Sequence, residues 1–249
     1  MRRSAKFFLL FLLVGSMFAS AQTPSKAAAN SKATPSSNHV IDNPVANVVN
    51  RGAWEYGPVV NWGSGVANRS DYKFFWAGFQ LGKRLTPMIN AGIFSGQFEL
   101  AGSINPLWLG FTPPPHQKTF YYNGQGYVAP EGGGTFHGVM LKPVIMRWNF
   151  KTRRHRFEPW FQAAGGLLYT THKYPPDQLV PQGTPGGTSV WNFMPQGGIG
   201  FHYFLSPRRS VDLGVNAVHI SSASLGDKNP GVNASIQIEV GYTFWRWKK

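Results

Sequence analysis

The 249-residue chain has no cysteine. Disulfides, thiolate metal sites and a cysteine nucleophile are therefore excluded, as is the acylated N-terminal cysteine of a lipoprotein. Charge is scarce at 14% of residues, and acids are scarcest, with 10 Asp and Glu against 24 Lys and Arg, for a formal net charge of +14. Beyond Arg51 no run approaches the roughly 18 consecutive apolar residues of a transmembrane helix. The mean hydropathy of −0.22 agrees. A membrane β-barrel stays open, because only every second residue of its strands faces lipid.

Glycine (29), proline (19) and aromatics (15%) are plentiful. That composition suits short strands joined by tight turns better than a helical bundle. Arg2, Arg3 and Lys6 lie in the first 21 residues, which carry no acid, and +11 remains without them. The other cations gather in predicted turns, such as Lys151–Arg156 and Arg208-Arg209, rather than along one helix face. Solvated turns account for them, and no nucleic-acid partner is expected.

Three regions follow. Residues 1–21 read as a signal peptide, with a basic start, the apolar run Phe7–Phe18 and a small-x-small cleavage site at Ala19-Ser20-Ala21. Residues 22–50, rich in Ser, Ala, Asn, Pro and Thr, read as a disordered leader. Residues 51–249 break into eight alternating segments, near 52–62, 71–83, 94–111, 136–149, 157–171, 188–205, 210–224 and 234–246. The links 63–70, 112–135, 172–187 and 225–233 are mostly longer than those at 84–93, 150–156 and 206–209. Long outward loops, short inward turns and an even strand count predict an eight-stranded antiparallel up-and-down transmembrane β-barrel in the outer membrane. In the last segment Ile236, Ile238, Val240, Tyr242 and Phe244 share one face, with Gln237, Glu239, Gly241 and Thr243 on the other. A soluble lipid-binding barrel would alternate similarly with its apolar residues inward, and it is the competing fold. Trp245 and Trp247, with the basic residues around them, read as an interfacial anchor.

The seventh segment carries the candidate chemistry. Val211, Leu213, Val215, Ala217, His219 and Ser221 share its apolar face, which in a membrane barrel touches lipid. Two readings of His219 and Ser221 remain open. They are polar residues tolerated at headgroup depth, or a serine nucleophile with histidine as general base. The other histidines show no metal-ligand spacing, and His137 and His202 read as isolated structural residues. No metal or cofactor is expected.

The sequence His219-Ile-Ser221-Ser-Ala223, followed by Asn229-Pro-Gly231 and a strand ending in aromatics, resembles the lipid A 3-O-deacylase (PagL-type) family. The resemblance implies an outer-membrane barrel that hydrolyses an ester-linked acyl chain of lipid A, with lipopolysaccharide as substrate. It implies Ser221 as nucleophile, His219 as base and Asn229 in the turn that follows. The acid that orients the histidine falls at Asn233, which can accept a hydrogen bond but carries no charge. Asp227 is the other candidate, and Ser222 stands where the family often has asparagine. The expected catalytic set is thus Ser221, His219 and Asn233. The alternative is a non-catalytic outer-membrane barrel, an adhesin or structural envelope protein. Nothing in the sequence fixes the oligomeric state.

Overall fold

The computed structural model describes residues 43–122, 124–174, 189–222 and 233–247. The expected signal peptide, most of the expected leader, and Ala223, Asp227 and Asn229 lie outside them.

Eight wall positions are filled by β1 (Trp54–Gly65), β2 (Lys73–Arg84), β3 (Gly96–Phe111), β6 (Thr135–Phe150), β7 (Phe157–Tyr174), β9 (Gln196–Ser206), β10 (Arg209–His219) and β11 (Ala234–Arg246). They pair antiparallel in the order β6-β3-β2-β1-β11-β10-β9-β7, and β6 pairs with β7 to close the ring. A short strand β8 (Ser189–Phe193) prolongs β9 upward along β7. No described helix is long and apolar enough to cross a membrane. β1, β3, β7 and β10 end, and β2, β6, β8 and β11 begin, at one end of the ring, called the outer end. The links at 85–95, 151–156 and 207–208 share the other.

Period-two alternation decides which face is wet. On β10 Val211, Leu213, Val215, Ala217 and His219 point outward, while Ser210, Asp212, Asn216 and Val218 are buried. The pattern repeats around the ring. Ile199, Ile104, Trp62 and Ile238 are 68%, 65%, 51% and 51% exposed, while Gln97, Glu99, Asn105, Lys142 and Gln237 are sealed inside. A large apolar outer face around a polar interior is that of a membrane barrel. It overturns the soluble-barrel reading, which needs the apolar residues inside.

The interior is cross-braced by charge. Arg147 Nη1 donates to Glu99 Oε1 at 2.9 Å and to Glu55 Oε2 at 3.2 Å. Arg84 forks onto Glu158 at 2.7 and 3.1 Å. Its Nε lies 2.8 Å from Glu99 Oε2, although that N–H is not aimed at the oxygen. These five residues come from five different strands. Removing one member would strand a buried charge, at a cost of about 3–5 kcal/mol. The indole of Trp160 fills space beside Gly214, where a Cβ would lie 2.6 Å from its Cη2.

Both ends of the interior are stoppered. Toward the outer end, Tyr72, Phe74, Trp76, Trp108, Phe136, Leu168, Tyr174 and Ile220 belong to one apolar cluster. At the inner end a short helix α1 (Pro44–Asn50) buries Val45 and Val48 against Ala53, Phe204 and Trp245. Asn43 caps α1, its side chain accepting from Ala46 N at 3.0 Å, and Pro44 opens it. The sequence reading had placed these residues in a disordered leader ending at residue 50.

Other differences have local causes. The sixth expected strand is split at Met194-Pro195, because proline has no N–H to donate to the ladder. The link 112–135, expected as loop, contains a hairpin of β4 (His116–Tyr122) and β5 (Gln125–Glu131). The seventh strand, expected to reach residue 224, ends at His219. The eighth spans Ala234–Arg246, as the alternation predicts.

Candidate active site at the outer end of β10

Beyond His219 the chain stays extended for two more residues, and its backbone bonds show how. His219 N donates to Pro195 O at 3.0 Å. Ile220 N donates in the other direction, to Asn233 O at 2.9 Å. Ser221 and Phe193 exchange both bonds, at 2.9 and 2.6 Å, as an isolated antiparallel bridge. The donors thus alternate between the β8–β9 side and the β11 side. Side chains must alternate with them between the two faces of the wall.

Burial follows. Val218 and Ile220 are 1% exposed and belong to the outer-end apolar cluster, and Ser222 is also buried. His219 is exposed and Ser221 half-buried. Anchoring Val218 and Ile220 inward fixes His219 and Ser221 on the outer face, two residues apart. Their surroundings there are apolar. Phe193 faces Ser221 across the bridge and is exposed, as are Trp191 and Ile236 nearby on the flanking strands. Ala234 is the cross-strand partner of His219 and adds little bulk beside the ring.

Asn233 is placed differently. In β11 the even residues Ile236, Ile238 and Val240 face out, and Ser235 and Gln237 face in. Asn233 shares the inward parity and is buried. Its Oδ1 accepts from Arg69 Nε at 3.1 Å. Arg69 is itself 2% exposed, and its Nη1 donates to the Tyr72 hydroxyl at 2.8 Å. The structure therefore sets His219 and Ser221 on the same lipid-facing side, two residues apart. It sets the Asn233 side chain on the opposite face, with Arg69. Asn233 meets the pair through its main-chain carbonyl, which holds Ile220 between them.

Arg69 escaped the sequence reading. It sits in the turn 66–72, where Ala67 adopts φ 52° and where a Cβ at Gly65 would run into the Arg69 backbone. The same turn donates Val66 N to Ala234 O at 3.0 Å, so it grips the start of β11 at two adjacent residues. The signal was a lone arginine in a short outward link, which spacing arguments do not select.

His202 is not isolated. Its Nδ1 lies 2.7 Å from Asp212 Oδ1 and its Nε2 3.2 Å from Asn149 Oδ1. Ser210 Oγ donates to the same Asp212 oxygen at 2.8 Å, Thr243 donates to the other, and Trp245 Nε1 donates to Ser210. His202, Glu55 and Glu99 also bring ligand-type atoms within 4.8 Å of one another. Both carboxylates are already engaged by Arg147, and Glu99 also faces Arg84. That positive charge opposes a divalent ion there, and the group reads as part of the interior brace.

Comparison with known proteins gives five results. The crystal structure of the outer membrane enzyme PagL is 15% identical, with a TM-score of 0.39 over 76% of this chain and 98% of that one. The crystal structure of Neisserial surface protein A is 12% identical, with a TM-score of 0.42 over 78% and 96%. Ail of Yersinia pestis, solved with the heparin analogue sucrose octasulfate, is 10% identical, with a TM-score of 0.37 over 79% and 99%. No curated protein matches the sequence. The family model of lipid A 3-O-deacylase (PagL) matches residues 98–243, which is more than half of the chain and runs from β3 through β11. An eight-stranded barrel with an apolar outer wall, a histidine and a serine on that wall, and this family match together place the chain in the lipid A 3-O-deacylase (PagL) family.

Proposed function

We propose that the protein removes an ester-linked acyl chain from lipid A, with Ser221 as nucleophile and His219 as general base. One observation carries this reading. At the outer end of β10, His219 and, just beyond the strand, Ser221 interrupt an apolar wall, where the acyl chains of a lipid would lie against Phe193 and Trp191. Polar side chains on such a wall are costly unless they serve a purpose. A hydroxyl is a weak nucleophile near neutral pH, and an imidazole two residues away on the same strand face can remove its proton.

The steps balance as follows. His219 takes the Ser221 Oγ proton as Oγ attacks the acyl carbonyl. The tetrahedral intermediate expels the sugar oxygen, which receives that proton from the imidazolium. Water, deprotonated by His219, then attacks the acyl-serine ester, and the imidazolium returns that proton to Ser221 Oγ as the fatty acid is released. Asn233, expected from the motif as the third catalytic member, acts instead as a positioning residue, its carbonyl fixing Ile220 and its side chain held by Arg69 on the inner face. Asp227 remains the carboxylate the sequence offers to the imidazole, and it lies outside the described residues. Residues 1–21 would deliver the chain for export. Family membership disfavours the non-catalytic barrel.

The test is direct. Purified protein in detergent should release free fatty acid from lipopolysaccharide, and Ser221→Ala should abolish release while keeping heat-modifiable migration. Equal release by the two proteins would sink the mechanism.

A further inference from the structure

The inner end of the barrel carries a charge pattern that the esterase reading does not use. Its acids turn inward, for Glu55, Glu99, Glu158 and Asp212 are all buried. Its surplus cations turn outward. Lys151, Arg153, Arg154 and Arg156 on the β6–β7 turn, and Arg208 and Arg209 at the β9–β10 turn, are exposed. Among the described residues of this end no exposed acid accompanies them.

These cations form one surface rather than scattered turns. Phe204 N donates to Arg156 O at 2.8 Å, and Trp245 N donates to Arg208 O at 2.9 Å. Those bonds set the two turns against the ends of β9 and β11. The guanidinium groups of Arg208 and Arg51 lie 4.8 and 5.6 Å from the Trp247 ring, which joins the end of β11 to the residue after α1. The surface begins where the apolar wall stops. Phe157 follows Arg156 directly, and Leu205 and Tyr203 are the exposed residues of β9 just above its turn. The outer end differs. Asp71 is exposed there, and Lys73 Nζ is engaged by Ser64 Oγ at 2.7 Å and Ser70 O at 2.9 Å.

An ordinary solvated surface mixes both signs of charge. Unmixed cations over three neighbouring segments repel one another unless an anionic surface faces them. Here they continue an apolar belt at the depth where headgroup phosphates sit, with indoles among them. In an outer-membrane barrel the short turns face the periplasm. We propose that the inner rim is a docking surface for the phosphates of anionic phospholipids in the periplasm-facing leaflet, which it gathers around the barrel.

The full chain would be placed in nanodiscs of phosphatidylcholine, alone or mixed with phosphatidylglycerol, and the lipid it retains weighed by native mass spectrometry. Wild type should retain phosphatidylglycerol over phosphatidylcholine by about tenfold or more, and high salt should erode that preference. Arg153→Gln/Arg154→Gln/Arg156→Gln/Arg208→Gln should abolish it. Arg153→Gln/Arg154→Gln, confined to exposed turn residues, should lower it and leave deacylation in detergent unchanged. Lys73→Gln/Lys173→Gln at the outer end should keep it. No preference in wild type, an unchanged preference in both inner-rim variants, or an equal loss in the outer-end variant would each overturn the proposal.

Discussion

The barrel holds two histidine–serine groupings, and they invert each other's properties. Inside, Ser210, His202 and Asp212 supply every residue type of a serine-hydrolase triad within hydrogen-bonding distance. Yet Ser210 donates to Asp212 rather than to His202, and the grouping is sealed between α1 and the charged brace. On the wall, Ser221 and His219 have no described carboxylate beside them, but they face the lipid. The difference teaches that an acid, a histidine and a serine in contact do not make a reactive site. The direction of the hydroxyl's proton and access for an ester do. The inner grouping braces the fold, and the outer one lies on the lipid-facing wall, where the proposed mechanism needs it.

Substitutions can break or sharpen that contrast. Ser221→Ala should lower fatty-acid release by at least about a thousandfold with an unchanged melt, while Ser210→Ala should leave release per folded molecule unaltered. His219→Gln should cost about 10²–10⁴-fold in rate, the range of a lost general base, with wild-type heat-modifiable migration. Asp212→Ala, by contrast, should show itself in unfolding. It leaves His202, Ser210 and Thr243 without their acceptor, and a denaturant titration should register a loss of about 3–5 kcal/mol. Arg69→Met lies between the two groupings. It should cost about 1–3 kcal/mol by removing the buried Arg69–Asn233 bond, and it should also slow deacylation. Asn233→Ala should have the smallest effect, because its main-chain carbonyl still holds Ile220. A double-mutant cycle with Arg69→Met should then show non-additivity, and strict additivity would separate Arg69 from Asn233.

Much of this was legible in the sequence, for reasons that can be named. Alternation located β11 to the residue and set His219 and Ser221 on the apolar face, because each strand has one wet and one lipid side. The same parity, applied one step before Ala234, puts Asn233 inward, away from the imidazole. Position within a motif was followed there instead of parity. Helix α1 falls in the stretch 22–50 whose composition reads as a disordered leader; only its Asn43-Pro44 start and the valines at 45 and 48 depart from that composition. The hairpin β4–β5 hid between the PPP and GGG runs at its ends, which read as loop. Arg69 and the His202 network were not legible, since they join strands far apart in the chain.

The pairing of β1 with β11, from Trp54 opposite Arg246 to Gly65 opposite Ser235, joins the first wall strand to the last. Almost the whole chain must be in place before this seam can zip, so its contacts come late and carry the largest loop-closure entropy in the molecule. Until then β1 and β11 each present an open edge of unpaired amides, the kind that recruits foreign strands. Glu55 lies on that first strand, and Arg147, which binds it, three strands away around the ring. Closing the cylinder thus removes both open edges and encloses the Glu55 carboxylate.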